Sequence, residues 1–125
     1  MTIGRSAEDY LEAILMIHER QGYVRSTDVA EQLGISKPSV SNATKRLREN
    51  NYLTTDAAGM LVLTESGLAI ASQIYTRHKV LSDFFIKIGV QPEQAREDAC
   101  KIEHVISDES FSAIKNHINR MIKAK

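Results

Sequence analysis

The sequence predicts a mainly α-helical fold with one short β-hairpin. Three observations lead to this prediction. Apolar residues recur at intervals of three and four over most of the chain, which is the spacing of amphipathic helices. Two short extended runs flank residues 56–59, whose glycine suits a tight turn. The 125 residues include only two prolines and six glycines, so no low-complexity linker is expected to interrupt the helices.

Three helices are predicted before the hairpin. Ser6 is expected to cap the first helix, which ends at Gln21-Gly22. A second helix covers about residues 27–33, and a glycine-containing turn leads into the third, with Ser36 as its cap and Pro38 in its first turn. The buried stripe of the third helix is predicted to contain Val40, Ala43 and Leu47.

The hairpin and three further helices complete the prediction. The strands are Leu53–Thr55 and Met60–Leu63. Thr64 is expected to cap a long helix that reaches Lys87 and is closed by Gly89, and a fifth helix runs from Pro92 to Ile106. Ser107-Asp108 caps the last helix.

A winged helix-turn-helix consists of two helices joined by a short turn and followed by a hairpin, and the predicted elements come in this order. The sequence therefore predicts a winged helix-turn-helix with a small hairpin wing over residues 1–63, followed by a helical domain over residues 64–125.

The third helix offers a polar and cationic face opposite its apolar stripe. Between Gly34 and Tyr52 four cations stand against one anion, a local charge of +3. Asn and Ser side chains can read base edges, and Lys and Arg can contact guanine or phosphate. A solvated amphipathic helix would show a similar pattern, but its coincidence with the turn, the cap and the hairpin favours DNA binding. The candidate DNA-binding residues are Ser36, Lys37, Pro38, Ser39, Ser41, Asn42, Lys45 and Arg46.

The whole chain carries sixteen basic and sixteen acidic residues, and its net charge of zero argues against non-specific coating of nucleic acid. No apolar run approaches the roughly 18 residues of a membrane span. The single cysteine, Cys100, cannot form an internal disulfide, and a cytoplasmic location is expected.

Two groups of side chains are candidate metal ligands. Asp9 and Glu12 stand three residues apart on the first helix, so both project from one side. On the predicted fifth helix, Cys100, Glu103 and His104 share one face and combine a thiolate, a carboxylate and an imidazole. His78 interrupts the apolar stripe of the fourth helix and is expected to point inward.

Structural roles compete with metal binding for each of these residues. Asp9 could complete a capping box with Ser6, and Cys100 could be a small buried hydrophobe. His78 could be a core histidine, and Glu103 could pair with Lys101 or Lys79. From spacing alone both interpretations stay open. A Cys–His nucleophile would need an oxyanion loop and an orienting third group, which the sequence does not indicate, so no enzyme is expected.

Four segments in register resemble the diphtheria toxin repressor family of iron- and manganese-dependent transcription regulators. They are residues 6–14, 28–41, 75–78 and 97–109, and the resemblance covers nearly the whole chain. It implies an N-terminal winged helix that binds double-stranded, palindromic operator DNA. It further implies a helical dimerisation domain that forms a homodimer, and a divalent corepressor metal at the junction of the two domains. The implied function is repression of metal-uptake genes.

Position by position, the resemblance implies the ligands Asp9, Glu12, His78, Cys100, Glu103 and His104. Asp9 and Glu12 match the manganese-responsive branch, whereas Cys100 matches the iron-responsive branch. Because a thiolate favours Fe²⁺ over Mn²⁺, Fe²⁺ is expected ahead of Mn²⁺. Ser82 and Arg96 replace the ancillary ligands of the iron branch, and the SH3-like domain of longer members is not expected.

Two other functions compete with a metal-dependent regulator. One is a winged-helix regulator that responds to an organic ligand or to oxidation of Cys100. The other is a metal-dependent hydrolase in which the carboxylates and His104 activate water, although the sequence indicates no substrate pocket.

Overall fold

A computed structural model describes residues 4–123 of the chain, and the side chains of this range up to residue 121. The described residues form six α-helices and one two-stranded antiparallel sheet. Contacts cluster into two units, and the boundary falls within the fourth helix, between Gln73 and Ile74. The predicted fold class, a mainly helical chain with an N-terminal winged helix-turn-helix, is confirmed.

The first unit contains helices α1 (Arg5–Gln21), α2 (Ser26–Leu33) and α3 (Lys37–Glu49), strands β1 (Leu53–Thr55) and β2 (Leu61–Leu63), and the start of α4 (Glu65–Lys87). The three short helices pack on one another, and both α1 and α3 contact the hairpin. Their shared core includes the fully buried side chains of Leu11, Ile14, Ile17, Val29 and Val40.

Local sequence signals set most of the boundaries in the first unit. Gly22 ends α1 in the left-handed conformation, with a φ of 85°. Ser36 caps α3, because its Oγ accepts a hydrogen bond from the backbone N–H of Ser39 at 3.3 Å. Ser6 does not cap α1, and this prediction is wrong. The helix already begins at Arg5 and its N-cap is Gly4, which places Ser6 inside the first turn.

An ion pair organises the start of α2. Asp28 accepts hydrogen bonds from the backbone N–H of Arg25 at 2.9 Å, from the guanidinium of Arg25 at 3.1 Å and from the amide of Gln21 at 2.9 Å. The side-chain hydrogen bonds from Arg25 are the main reason why the pKa of the Asp28 carboxyl lies below its usual range. The same pairing raises the pKa of Arg25. A charged side chain thus fixes the turn between α1 and α2.

The hairpin is short and closed by a side chain. Leu53 pairs with Leu63 and Thr55 with Leu61. At the tip, Asp56 Oδ1 accepts hydrogen bonds from the backbone N–H groups of Ala58 at 2.9 Å and Met60 at 3.0 Å. Gly59 takes a φ of 81°, as expected for a glycine in a tight turn.

The second unit contains the rest of α4, α5 (Pro92–Ile102) and α6 (Asp108–Lys123). Ile74, Leu81, Ala95 and Ala99 are buried. The cap of α6 is Ser107, whose Oγ accepts a hydrogen bond from the backbone N–H of Ser110 at 3.0 Å. No helix within residues 4–123 combines the length and the apolar character that crossing a membrane requires.

The fifth helix is shorter than predicted. It ends at Ile102 and not at Ile106, and a turn follows in which the N–H of Val105 bonds to the carbonyl of Ile102 at 2.9 Å. The guanidinium of Arg77 supplies donors to the carbonyl oxygens of Glu103 at 3.3 Å and Ile106 at 2.9 Å. These carbonyls therefore have partners without continuation of the helix.

Candidate functional site

Three of the predicted ligands meet in the second unit. His78 Nδ1 lies 3.3 Å from Glu103 Oε2, and His104 Nε2 lies 3.5 Å from Glu103 Oε1. The Glu103 side chain is fully buried, that of His104 is 1% exposed and that of His78 is 17% exposed. One carboxylate is therefore held between two imidazoles, which is an arrangement of three metal-binding groups.

Two members of this cluster, Glu103 and His78, have buried side-chain atoms that make no hydrogen bond among the described residues. Among the described residues, neither oxygen of Glu103 accepts a hydrogen bond, and His78 Nδ1 takes part in none. A buried carboxylate without hydrogen bonds is costly, by about 1–3 kcal/mol or more for a charged group. A divalent cation would compensate this cost, so the donor set and its burial fit a metal ion.

Helix α4 and the turn after α5 position the three groups. His78 points inward from α4, as its interruption of the apolar stripe predicted. Glu103 and His104 lie beyond the end of α5, but Glu103 keeps helical backbone angles and its N–H bonds to the carbonyl of Ala99. The shared face with Cys100 stays a prediction. Among the described residues, Glu103 has ion-pair contacts with these two histidines, and Lys79 Nζ lies 4.3 Å from the centre of the Tyr75 ring.

The remaining predicted ligands are Cys100 on α5 and the two carboxylates of α1. Cys100 lies on α5 and is exposed, so it is not buried like Glu103 and it is not a core residue. In the first unit, Asp9 is half-buried and Glu12 is only 6% exposed. Because α1 begins at Arg5 with Gly4 as its N-cap, Asp9 does not form a capping box with Ser6. The capping box, which was the structural alternative to metal binding for Asp9, is therefore excluded.

Sequence reasoning assigned no role in the site to two buried residues of the second unit. Ser82 is 6% exposed, and its Oγ has no hydrogen-bond partner among the described residues. It lies four residues after His78, and this helical spacing is the signal that could have found it. Arg77 is 8% exposed and contacts the turn that carries Glu103 and His104. Its partners are far away in the sequence, so no local pattern indicated this role.

The candidate DNA-binding residues share the outer surface of α3. All eight of them are exposed, whereas Val40, Ala43 and Leu47 on the opposite side are buried. The hydroxyl of Ser36 donates to Ser39 Oγ at 2.9 Å in addition to its capping bond. Helix α3 therefore presents short polar groups and cations on a surface that its core contacts hold rigid, and we call it the reading helix.

The hairpin contributes no positive charge. From Leu53 to Leu63 the only charged residue is Asp56, at the tip, and its carboxylate is used to close the turn. The cations of this region are concentrated on the reading helix, which carries Lys37, Lys45, Arg46 and Arg48.

Two family profiles match the chain in succession. Residues 2–59 match "Iron dependent repressor, N-terminal DNA binding domain", and residues 64–123 match "Iron dependent repressor, metal binding and dimerisation domain". The first match lies within the first unit, and the second begins at residue 64 in the first unit and continues through the second to residue 123.

Individual proteins show the same similarity. The chain is 35% identical over 115 residues to an uncharacterized HTH-type transcriptional regulator of Methanocaldococcus jannaschii, covering 90% of this chain and 92% of that protein. It is 38% identical over 109 residues to the HTH-type transcriptional regulator MntR of Bacillus subtilis, covering 87% and 77% of the two chains.

Among solved structures, a manganese-dependent transcriptional repressor in complex with manganese is similar with a TM-score of 0.82 and 28% identity. That match covers 90% of this chain and 52% of the other. The manganese regulator SloR is similar with a TM-score of 0.78 and 28% identity, covering 95% and 55%. The chain thus spans about half the length of these solved structures.

Proposed function

The chain belongs to the iron dependent repressor family of metal-dependent transcriptional regulators, the family that its motifs resemble, and from this premise we propose that a divalent metal switches its binding to operator DNA. Members of this family are DNA-binding regulators and not enzymes. The proposed role is that of a cytoplasmic repressor of metal-uptake genes, with the metal as corepressor. The operator would be palindromic, because a two-fold homodimer reads two equivalent half-sites.

The observation that carries this proposal is the buried carboxylate of Glu103 between His78 and His104. Its oxygens accept no hydrogen bonds among the described residues, and they lie 3.3 Å from His78 Nδ1 and 3.5 Å from His104 Nε2. When bound, the metal would supply a positive charge that balances the negative charge of this carboxylate. Imidazole and carboxylate are suitable ligands for Fe²⁺ and Mn²⁺.

We propose that Asp9 and Glu12 of α1 and Cys100 of α5 complete the ligand set. The support for Asp9 and Glu12 is their spacing of three residues, the burial of Glu12, and the correspondence of both to ligand positions of the family. Ligands that come from both units would couple metal binding to the disposition of the reading helix. Coupling of this kind typically amounts to about 1–3 kcal/mol, or roughly 5- to 150-fold in affinity.

The proposed metal preference is Fe²⁺ ahead of Mn²⁺. Affinity rises from Mn²⁺ to Fe²⁺ for sites built from nitrogen, oxygen and sulfur, and a thiolate ligand widens the difference. The variant Cys100→Ser tests the contribution of the thiol. If Cys100 is a ligand, the ratio of Fe²⁺ to Mn²⁺ affinity measured under anaerobic conditions should fall in the variant. An unchanged ratio would remove Cys100 from the ligand set.

The switch itself is tested with a DNA duplex that the protein selects from a random-sequence pool in the presence of Mn²⁺. The Kd for this duplex is measured with chelator, with Mn²⁺ and with Fe²⁺. We expect the metals to tighten binding by roughly 5- to 150-fold. The variant Glu103→Gln should lose this stimulation, because a neutral amide no longer binds the cation strongly.

The matched control is Glu109→Gln, which removes one exposed carboxylate in the first turn of α6. It should respond to metal as the unmodified chain does. Equal Kd values with metal and with chelator for the unmodified chain would refute the metal switch. They would then favour a regulator that responds to an organic ligand or to oxidation of Cys100.

A further inference from the structure

Arg77 is a buried arginine that joins α4 to the turn between α5 and α6. It directly precedes His78, and only 8% of the residue is exposed. Its Nη1 donates to the carbonyl oxygen of Glu103 at 3.3 Å and to that of Ile106 at 2.9 Å. One nitrogen therefore holds two points of the turn that contains Glu103 and His104.

The same guanidinium has two further partners at the beginning of α6. Its Nη2 donates to Asp108 Oδ1, and its central carbon lies 5.4 Å from the centre of the Phe111 ring. A guanidinium is planar and has several N–H donors. It can therefore bond to two carbonyls and a carboxylate while it packs on an aromatic ring. The compact ammonium of a lysine could not reproduce this arrangement.

These contacts determine where Glu103 stands. Helix α5 ends at Ile102, and the carbonyls that follow need donors from outside the helix. Because Arg77 holds the carbonyl of Glu103, the backbone of this residue is anchored while its carboxylate extends between His78 and His104. Groups that bind metals must be held within about 0.5 Å of a productive arrangement, and their supporting partners contribute to affinity.

We propose that Arg77 is a positioning residue of the metal centre, which presents Glu103 and His104 to the ion by holding the turn over residues 103–108. It offers no ligand atom itself and acts only through these two residues. This inference rests on the metal-dependent function proposed above.

The test uses Co²⁺ as a spectroscopic probe on the full chain. Its Kd and its visible absorption bands are measured for the unmodified chain, for Arg77→Lys and for Asp108→Asn. Thermal unfolding in chelator reports the stability of each metal-free chain. The controls are Arg120→Lys and Glu109→Gln, two exposed residues of α6 that lie outside the Arg77 contacts.

We expect Arg77→Lys to weaken Co²⁺ binding by about 10- to 100-fold and to shift or weaken the absorption bands, since the ligands are no longer held in place. Asp108→Asn removes the negative charge but keeps an oxygen that can accept a hydrogen bond from Arg77. It should therefore change the Kd for Co²⁺ and the absorption bands in the same direction as Arg77→Lys, but by less. The two controls should match the unmodified chain.

A folded Arg77→Lys with an unchanged Kd and spectrum would overturn the inference, even if its unfolding temperature were lower, because the role of Arg77 would then be structural only. If Arg77→Lys does not fold, Asp108→Asn decides, and an unchanged Co²⁺ spectrum for it overturns the inference. Failure of the unmodified chain to bind Co²⁺, Mn²⁺ or Fe²⁺ would refute the proposed function and this inference together.

Discussion

Replacing Gly67 by alanine should destabilise the first unit, although the helix propensity of alanine predicts the opposite. Gly67 lies in the first turn of α4, where Thr64 Oγ accepts a hydrogen bond from its backbone N–H at 3.1 Å. Alanine is favoured over glycine in helices by about 0.5–1 kcal/mol. An argument from the helix alone therefore expects Gly67→Ala to increase stability.

The surroundings of Gly67 reverse this expectation. A β-carbon at this position would collide with the carbonyl oxygen of Tyr52 and lie 3.0 Å from its carbonyl carbon. Because the obstacle is backbone, no change of rotamer can relieve the contact. The same carbonyl accepts a hydrogen bond from the N–H of Thr64 at 3.2 Å, so a displacement also weakens this bond.

The expected cost follows from these two effects. Forcing a carbon into a packed site typically costs 1–3 kcal/mol, and a lost hydrogen bond about 0.5–1.5 kcal/mol. After subtraction of the gain in helix propensity, Gly67→Ala should lower the free energy of unfolding by about 0.5–4 kcal/mol.

Urea unfolding followed by far-UV circular dichroism measures this change. The control is Ser66→Ala in the same turn, where the side chain is exposed and the change should stay within about 0.5 kcal/mol. An alanine variant at position 67 as stable as the unmodified chain, or more stable, would refute the reasoning.

Two further predictions concern charges. Asp28→Asn should lower stability at pH 7. Because the folded-state pKa of Asp28 is depressed, its contribution is fully present above the carboxyl's unfolded pKa of about 4 and is lost as the pH falls from there through the folded-state pKa. The difference between the urea midpoints of variant and unmodified chain should therefore shrink as the pH is lowered below about 4, and a constant difference would contradict this. Arg46→Ala should weaken binding to the selected duplex and reduce the slope of log K against log salt by about 1 per protomer. An unaltered slope would remove Arg46 from the interface.

The parts of the fold that local sequence determines were predictable. Ser36 and Pro38 marked the start of the reading helix, and Gly22 and Gly89 marked helix ends, because each acts on neighbouring backbone. The end of α5 was not predictable from its own residues, since the carbonyls of Glu103 and Ile106 that follow it bond to Arg77, more than 25 positions away. The periodic spacing of Ile102 and Val105 gave no sign that the helix stops between them.

The candidate site shows the same division. His78 was identified because a histidine within an apolar stripe must point inward, and Glu103 and His104 were identified by residue type. The helix was predicted to continue through both residues, whereas they lie in a turn whose carbonyls at Glu103 and Ile106 bond to Arg77. Ser82 was noted only as a replacement of an ancillary ligand of the iron branch. Its burial and its lack of a hydrogen-bond partner among the described residues became visible only in the structure.

The net charge of zero has a consequence for control by metal. If phosphate contacts are confined to the reading helix, they come from at most four cations per protomer, since the hairpin carries no cation. A dimer would then make at most about eight such contacts, with a salt slope no steeper than about −7. A chain with a large basic excess would stay on DNA without its corepressor. When phosphate contacts contribute only moderately to the free energy of DNA binding, a metal-dependent contribution of about 1–3 kcal/mol is large enough to decide whether the operator is occupied.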